Sequence, residues 1–245
     1  MPQRANQPAL PLSDGVAEVT PRGFGSSSPA AIEGRRRLMA FGVDALDEAD
    51  VLTLVLERAL PAGADPAAAA ETLIDRLGGV GRVLGAPTAD LARIVGVEGA
   101  AGLDLLHRLL VRCLAVPIHT REVLGSTEAV KAYLRVLLRA LPREVFHVLF
   151  LDRKNQLIAD ERMGEGTVDH APVYPREIVR RALELSASAV LLVHNHPSGD
   201  ATPSSADIEM TRRVVEAARA LGIAVHDHLV VAGDQVASLR GLGLM

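Results

Sequence analysis

The 245-residue chain has one cysteine, no tryptophan, two tyrosines, four phenylalanines and two lysines, and no apolar run long enough to cross a bilayer. A single thiol, Cys113, can neither close an intramolecular disulfide nor supply a cysteine-rich zinc module. Any metal must therefore be held by histidine and carboxylate. With aromatics at 2%, the core has to be packed from Leu, Val, Ile and Ala. The 26 Lys plus Arg fall short of the 30 Asp plus Glu, and a net charge of −4 gives no basic field for binding nucleic acid in bulk. At 49% hydrophobic residues the chain is too apolar for a disordered one. What is left is a folded, soluble protein of one or two domains. The first 30 residues lack the apolar core of a signal peptide, so the expected location is cytoplasmic, without membrane association.

Residues 1–30 are rich in Pro, Gly and Ser, show no period, and are expected to be a disordered tail. Residues 31–115 read as a small all-helical domain. Asp47 caps a helix bearing Leu52, Val55 and Leu56, Asp65-Pro66 is an N-cap with proline at the first helical position, and Gly78-Gly79 stops that second segment. Thr88 opens a short helix, and Gly96-Val97-Glu98-Gly99 turns the chain into a last one from about Ala100. Cys113 is expected to pack there among Leu109, Leu110 and Leu114. Val116-Pro117-Ile118-His119-Thr120 breaks the period, and residues 116–126 read as a linker.

From residue 127 to the C-terminus the pattern is mixed α/β. A helix from Thr127 precedes a strand at Val145–Leu151 and its return from Gln156 to Met163. A helix follows Tyr174-Pro175, Ala189–His194 reads as a central strand, and a helix from about Ser204 leads to a strand from Ala224 to Val231. The expected fold class is thus mixed α/β: one β-sheet flanked by helices, preceded by the small all-α domain.

Chemistry concentrates in His194-Asn195-His196-Pro197-Ser198-Gly199-Asp200, continuing to Pro203-Ser204-Ser205-Ala206-Asp207. On extended backbone His194 and His196 project to one side, because strand side chains alternate. Asp207, in the first turn of the following helix, could add a carboxylate, and three protein ligands leave a tetrahedral zinc one open position. Two plainer readings stand beside this one. A His-x-His pair is often structural, and Ser204 with Asp207 has the form of a capping box.

The run from His194 to Asp207 resembles the JAMM metalloprotease motif of MPN (JAB) domains, and the surrounding stretches resemble the bacterial RadC family. These are Val148 to Asp152, Gly166 to Asp169, Val173 to Val179 and Asp227 to Val231. The resemblance implies an MPN domain at 127–245 and a zinc-dependent hydrolase of peptide or isopeptide bonds, with a peptide or protein substrate. His194, His196 and Asp207 then become the metal ligands, Ser204 steadies an oxyanion, and Glu161 is the general base, six residues before the threonine of Gly166-Thr167. Glu165 is the competing carboxylate, since strand alternation sets both on one side. His226 and His228 receive no ligand role, His228 being left as an orienting or simply buried residue. The helical domain is similar to a helix-hairpin-helix module, which implies DNA as a partner and a DNA-repair-associated accessory role as the alternative function. Glu98, however, stands where the second glycine of that turn belongs, and a carboxylate there opposes a phosphate.

Overall fold

The computed structural model describes residues 28–120, 127–166 and 173–245; the expected tail up to residue 27 and residues 121–126 of the expected linker lie outside them. The first helix, α1 (Pro29–Phe41), begins inside the stretch read as tail. Ser28 accepts a hydrogen bond from the Ala31 N–H at 3.2 Å and proline occupies the first turn, a local capping signal that bulk composition hides. Helix α2 (Glu48–Ala59) starts on Asp47, whose capping box with Asp50 is complete. Helix α3 (Pro66–Leu77) starts on Asp65 and ends on Gly78 in the left-handed region. A short α4 (Val80–Gly85), unmarked by any period, leads to α5 (Thr88–Thr120).

Helix α5 departs from expectation twice. It is interrupted at Gly96 (φ 72°, ψ 177°), so its second part begins at Val97 rather than Ala100, with Glu98 exposed in that first turn. It then continues through Val116–Thr120, the first half of the expected linker. Pro117 deletes one helix hydrogen bond, and Val111, Leu114 and Ala115 hold the preceding turns by packing against the sheet's core. That choice of face turns Cys113 outward, so it is exposed, not packed. Leu52, Leu56, Leu73, Val83, Leu91 and Leu103 form the core of the helical part. There Gly102 lets α5 approach α2 closely, since a Cβ at this position would lie 2.6 Å from that of Ala59.

Helix α6 (Thr127–Leu138) leads into the sheet, made of β1 (Val145–Leu151), β2 (Leu157–Glu165), β3 (Ala189–Asn195), β4 (Ala224–Ala232) and β5 (Gln235–Ser238). The order is β2-β1-β3-β4-β5. The β3–β4 pair is parallel and the others are antiparallel. A parallel pair needs a long crossover, and α8 (Ser205–Arg219) supplies it. Edge strand β5 went unforeseen because four residues are too few to display a period.

The mixed α/β architecture is the expected one, and its layers follow from alternation. Leu149, Leu151, Leu191 and Val193 face α6, where Leu134 and Leu138 meet them. Phe146, Val148, Phe150, Val190 and Leu192 face Ile178 and Ala182 of α7 (Pro175–Glu184) and Val214 of α8. Among the described residues, no helix is long and apolar enough to cross a membrane.

Asn195, 1% exposed at the end of β3, fastens the α6–β1 connection to the sheet. Its Oδ1 accepts from the Val145 N–H at 2.8 Å, and its Nδ2 donates to the carbonyl of Arg143 at 3.0 Å. Truncation strands the buried Val145 N–H at about 1–3 kcal/mol, removes the half-buried bond to the Arg143 carbonyl and empties the space of a buried side chain. Asn195→Ala is therefore expected to lower the unfolding free energy by about 2–4 kcal/mol in a denaturant titration. An unchanged midpoint and slope would show that the staple carries no stability.

Candidate metal centre

β3 is buried along its whole length, and its even-numbered residues face α7 and α8. The last of these is His194, 3% exposed. The chain stays extended for one more residue, since the His196 N–H donates to the Val231 carbonyl at 2.8 Å. His196 therefore projects to the same side, as alternation requires. The two Nε2 atoms end 2.9 Å apart. Beyond them the chain turns through Gly199, in the left-handed region at φ 86°, to Ser204, the N-cap of α8.

Asp207 stands in the capping box and beside both histidines at once. Its Oδ2 accepts from the Ser204 N–H at 2.7 Å and from Ser204 Oγ at 2.6 Å, closing the capping box, while its Oδ1 lies 3.2 Å from His194 Nε2. Oδ2 is 3.6 Å from His196 Nε2. Ligand atoms of His194, His196 and Asp207 all fall within 4.8 Å of one another. Burial alone would push the Asp207 carboxyl up. Hydrogen bonds with His194, His196 and Ser204 outweigh it and hold the group far below the usual carboxylate range. The same contact with Asp207 raises the His196 imidazole above its ordinary value.

The donor set fits a divalent metal. His196 Nδ1 lies 2.7 Å from the Asp200 carbonyl, which can only accept, so this nitrogen carries the ring's proton. In the neutral ring the Nε2 lone pair is then directed at His194 Nε2 and the Asp207 carboxylate, an arrangement that calls for a cation. Two imidazole nitrogens, one carboxylate oxygen and no sulfur match a zinc site with a position left open.

Glu161 lies on the same face but is engaged elsewhere. It pairs across the sheet with Val148, which pairs in turn with Leu192. Arg181 of α7 grips its carboxylate with a fork, Nε to Oε2 at 2.8 Å and Nη2 to Oε1 at 2.6 Å. That hydrogen bonding holds the Glu161 carboxyl below its ordinary value. The expectation that Glu161 and Glu165 share a side is overturned. The register shifts between the Phe146 and His147 pairs, leaving Met163 as an extra residue, so Glu165 falls opposite Val145 and on the other face. It lies there near Arg143 and Arg162.

Two contributors to the site, Arg181 and Thr211, were missed from sequence, and His228 had been left as an orienting or buried residue without its partner. Arg181 carries no local signal, because its partner is on a distant strand. Thr211 lies four residues beyond Asp207 on one face of α8, a spacing that could have marked it. His228, wholly buried, stands with Nε2 2.8 Å from His194 Nδ1. Burial drives its imidazole well below the ordinary range and keeps it neutral. Of the other histidines, His226 bonds to Asn155, and His147 to Asp160 on β2.

Comparison with known proteins adds a likeness in sequence. Residues 124–244 match a family model described as a RadC-like JAB domain. A Rhodobacter capsulatus protein named "UPF0758 protein" is 47% identical over 213 residues, covering 86% of this chain and 99% of the relative.

The Arg181 fork makes a testable demand. In a carbon-detected NMR titration the Glu161 carboxyl should titrate below the ordinary glutamate value of about 4.3, and Arg181→Met should move it upward toward that value. Equal midpoints in the two proteins would mean that the fork is not maintained in solution.

Proposed function

Since the chain belongs to the RadC family of JAB-domain proteins, we propose that it is a zinc-dependent hydrolase of the JAMM type, cleaving a peptide or isopeptide bond. The observation that carries this reading is the convergence of His194 Nε2, His196 Nε2 and Asp207 Oδ1 at the mouth of a central strand. These three hold the ion. Zinc so bound makes water acidic near pH 7 and polarises a carbonyl.

The chain's own groups complete the chemistry. Glu161, on the same face and kept ionised by Arg181, accepts a proton from the attacking water and returns it to the leaving amine. To do so it gives up at least one arm of the Arg181 fork. Its side chain is 30% exposed, which leaves room for that movement. Ser204 anchors Asp207 through the capping box, and its hydroxyl steadies the oxyanion once it releases Asp207 Oδ2. The substrate class is peptide or protein. A DNA-associated accessory role has weaker support, since Glu98 is exposed in the first turn after Gly96, where a phosphate would approach.

Purified protein at neutral pH is expected to take up about one zinc per chain, and His194→Ala or His196→Ala to lose it. Glu161→Gln should keep the metal while hydrolysis in a peptide or isopeptide screen falls by about 10²-fold or more. Wild-type protein that takes up no divalent metal would sink the proposal.

A further inference from the structure

Behind the ligand nitrogens runs a chain of buried hydrogen bonds whose direction can be worked out atom by atom. It starts at the Asp207 carbonyl, 2.5 Å from Thr211 Oγ1. Two oxygens that close need a proton between them, and only the threonine hydroxyl can supply it. That hydroxyl is consequently committed. His228 Nδ1, 2.6 Å from the same Oγ1, must carry its own proton and donate it. Thr211 and His228 are both 0% exposed, so no bulk water intervenes, and burial disfavours a doubly protonated ring. His228 Nε2 is then bare, and the hydrogen in its 2.8 Å contact with His194 Nδ1 belongs to His194. Phe146 walls both rings, with centroids 6.1 Å from His194 and 5.5 Å from His228.

We infer that Thr211 and His228 are positioning residues whose one-way hydrogen-bond chain fixes His194 as the Nδ1–H tautomer, presenting Nε2 as a lone pair for the metal. The inference rests on the reading of this site as a zinc centre. The chain begins on the backbone of one ligand, Asp207, and ends on the ring of another, His194, so that α8, β4 and β3 are tied in one loop. An outer partner of a ligating histidine is usually a carboxylate or a carbonyl. Here a second imidazole fills that place, oriented by a threonine.

Thr211→Val is the discriminating variant, since it keeps the side chain's volume and removes only the hydroxyl. His228 then loses its acceptor and gains by moving its proton to Nε2, which would drive the His194 proton onto the ligand nitrogen. Zinc binding, measured by competition with a chromophoric chelator, is expected to weaken by about 10–100-fold in Thr211→Val and to return to near wild type in Thr211→Ser. Equal affinity in wild type and Thr211→Val would overturn the inference, because a packing role alone predicts that result. Long-range ¹H–¹⁵N correlations on the metal-free wild-type protein provide a second readout, independent of how the variants fold. Protons on Nδ1 of both His194 and His228 are expected, and a His194 Nδ1 without its proton would overturn the chain. A wild-type protein that binds no zinc yet shows these tautomers would defeat the zinc reading and leave the chain's direction standing.

Discussion

Two imidazole nitrogens 2.9 Å apart, next to a carboxylate largely withdrawn from water, cannot all remain bare. Lone pairs directed at one another repel, and a proton or a metal ion held between them relieves the repulsion. Most of the sheet domain can be understood as the scaffold that forces this meeting. β3 runs through the middle of the sheet, buried throughout, and delivers His194 at its end with little freedom. One further backbone bond to β4 keeps the chain extended long enough for His196 to follow. The loop through Gly199 then returns to a helix start, where rigidity comes from capping.

Asp207 shows how a stability device and a chemical one share atoms. Its Oδ2 closes the cap of α8 with Ser204, and its Oδ1 is left for the histidines. A carboxylate at this position of a helix is favoured by the dipole and by the unpaired N–H groups. The fold therefore holds the anion in place before any metal arrives. Asn195, between the two histidines in sequence, points to the opposite face and fastens the chain entering β1. The alternation that brings the histidines together also separates structural from chemical work along three consecutive residues.

Much of this was legible in the sequence, for local reasons. The His-x-His pair, the strand ending on it, the capped helix bearing Asp207 and the proline-led starts of α3 and α7 all depend on contacts within a few residues. The parts that could not be read depend on neighbours distant in sequence. The bulge at Met163, which sets Glu161 and Glu165 on opposite faces, exists only in the pairing of β1 with β2. The fork from Arg181 to Glu161 joins a helix to a strand 20 residues away. Helix α5 runs past Pro117 because its preceding turns pack against the sheet, a tertiary effect that outweighs a local breaker. His228 could be noted in sequence as a buried or orienting residue, but its connection to His194 is a product of strand register.

The central claim is that His194, His196 and Asp207 form an open, sulfur-free tripod. X-ray absorption at the zinc edge of the loaded wild-type protein tests it most directly. The account predicts a first shell of nitrogen and oxygen at about 2.0–2.1 Å, with outer-shell scattering from two imidazoles. A sulfur shell near 2.3 Å, or scattering from three or more imidazoles, would contradict it.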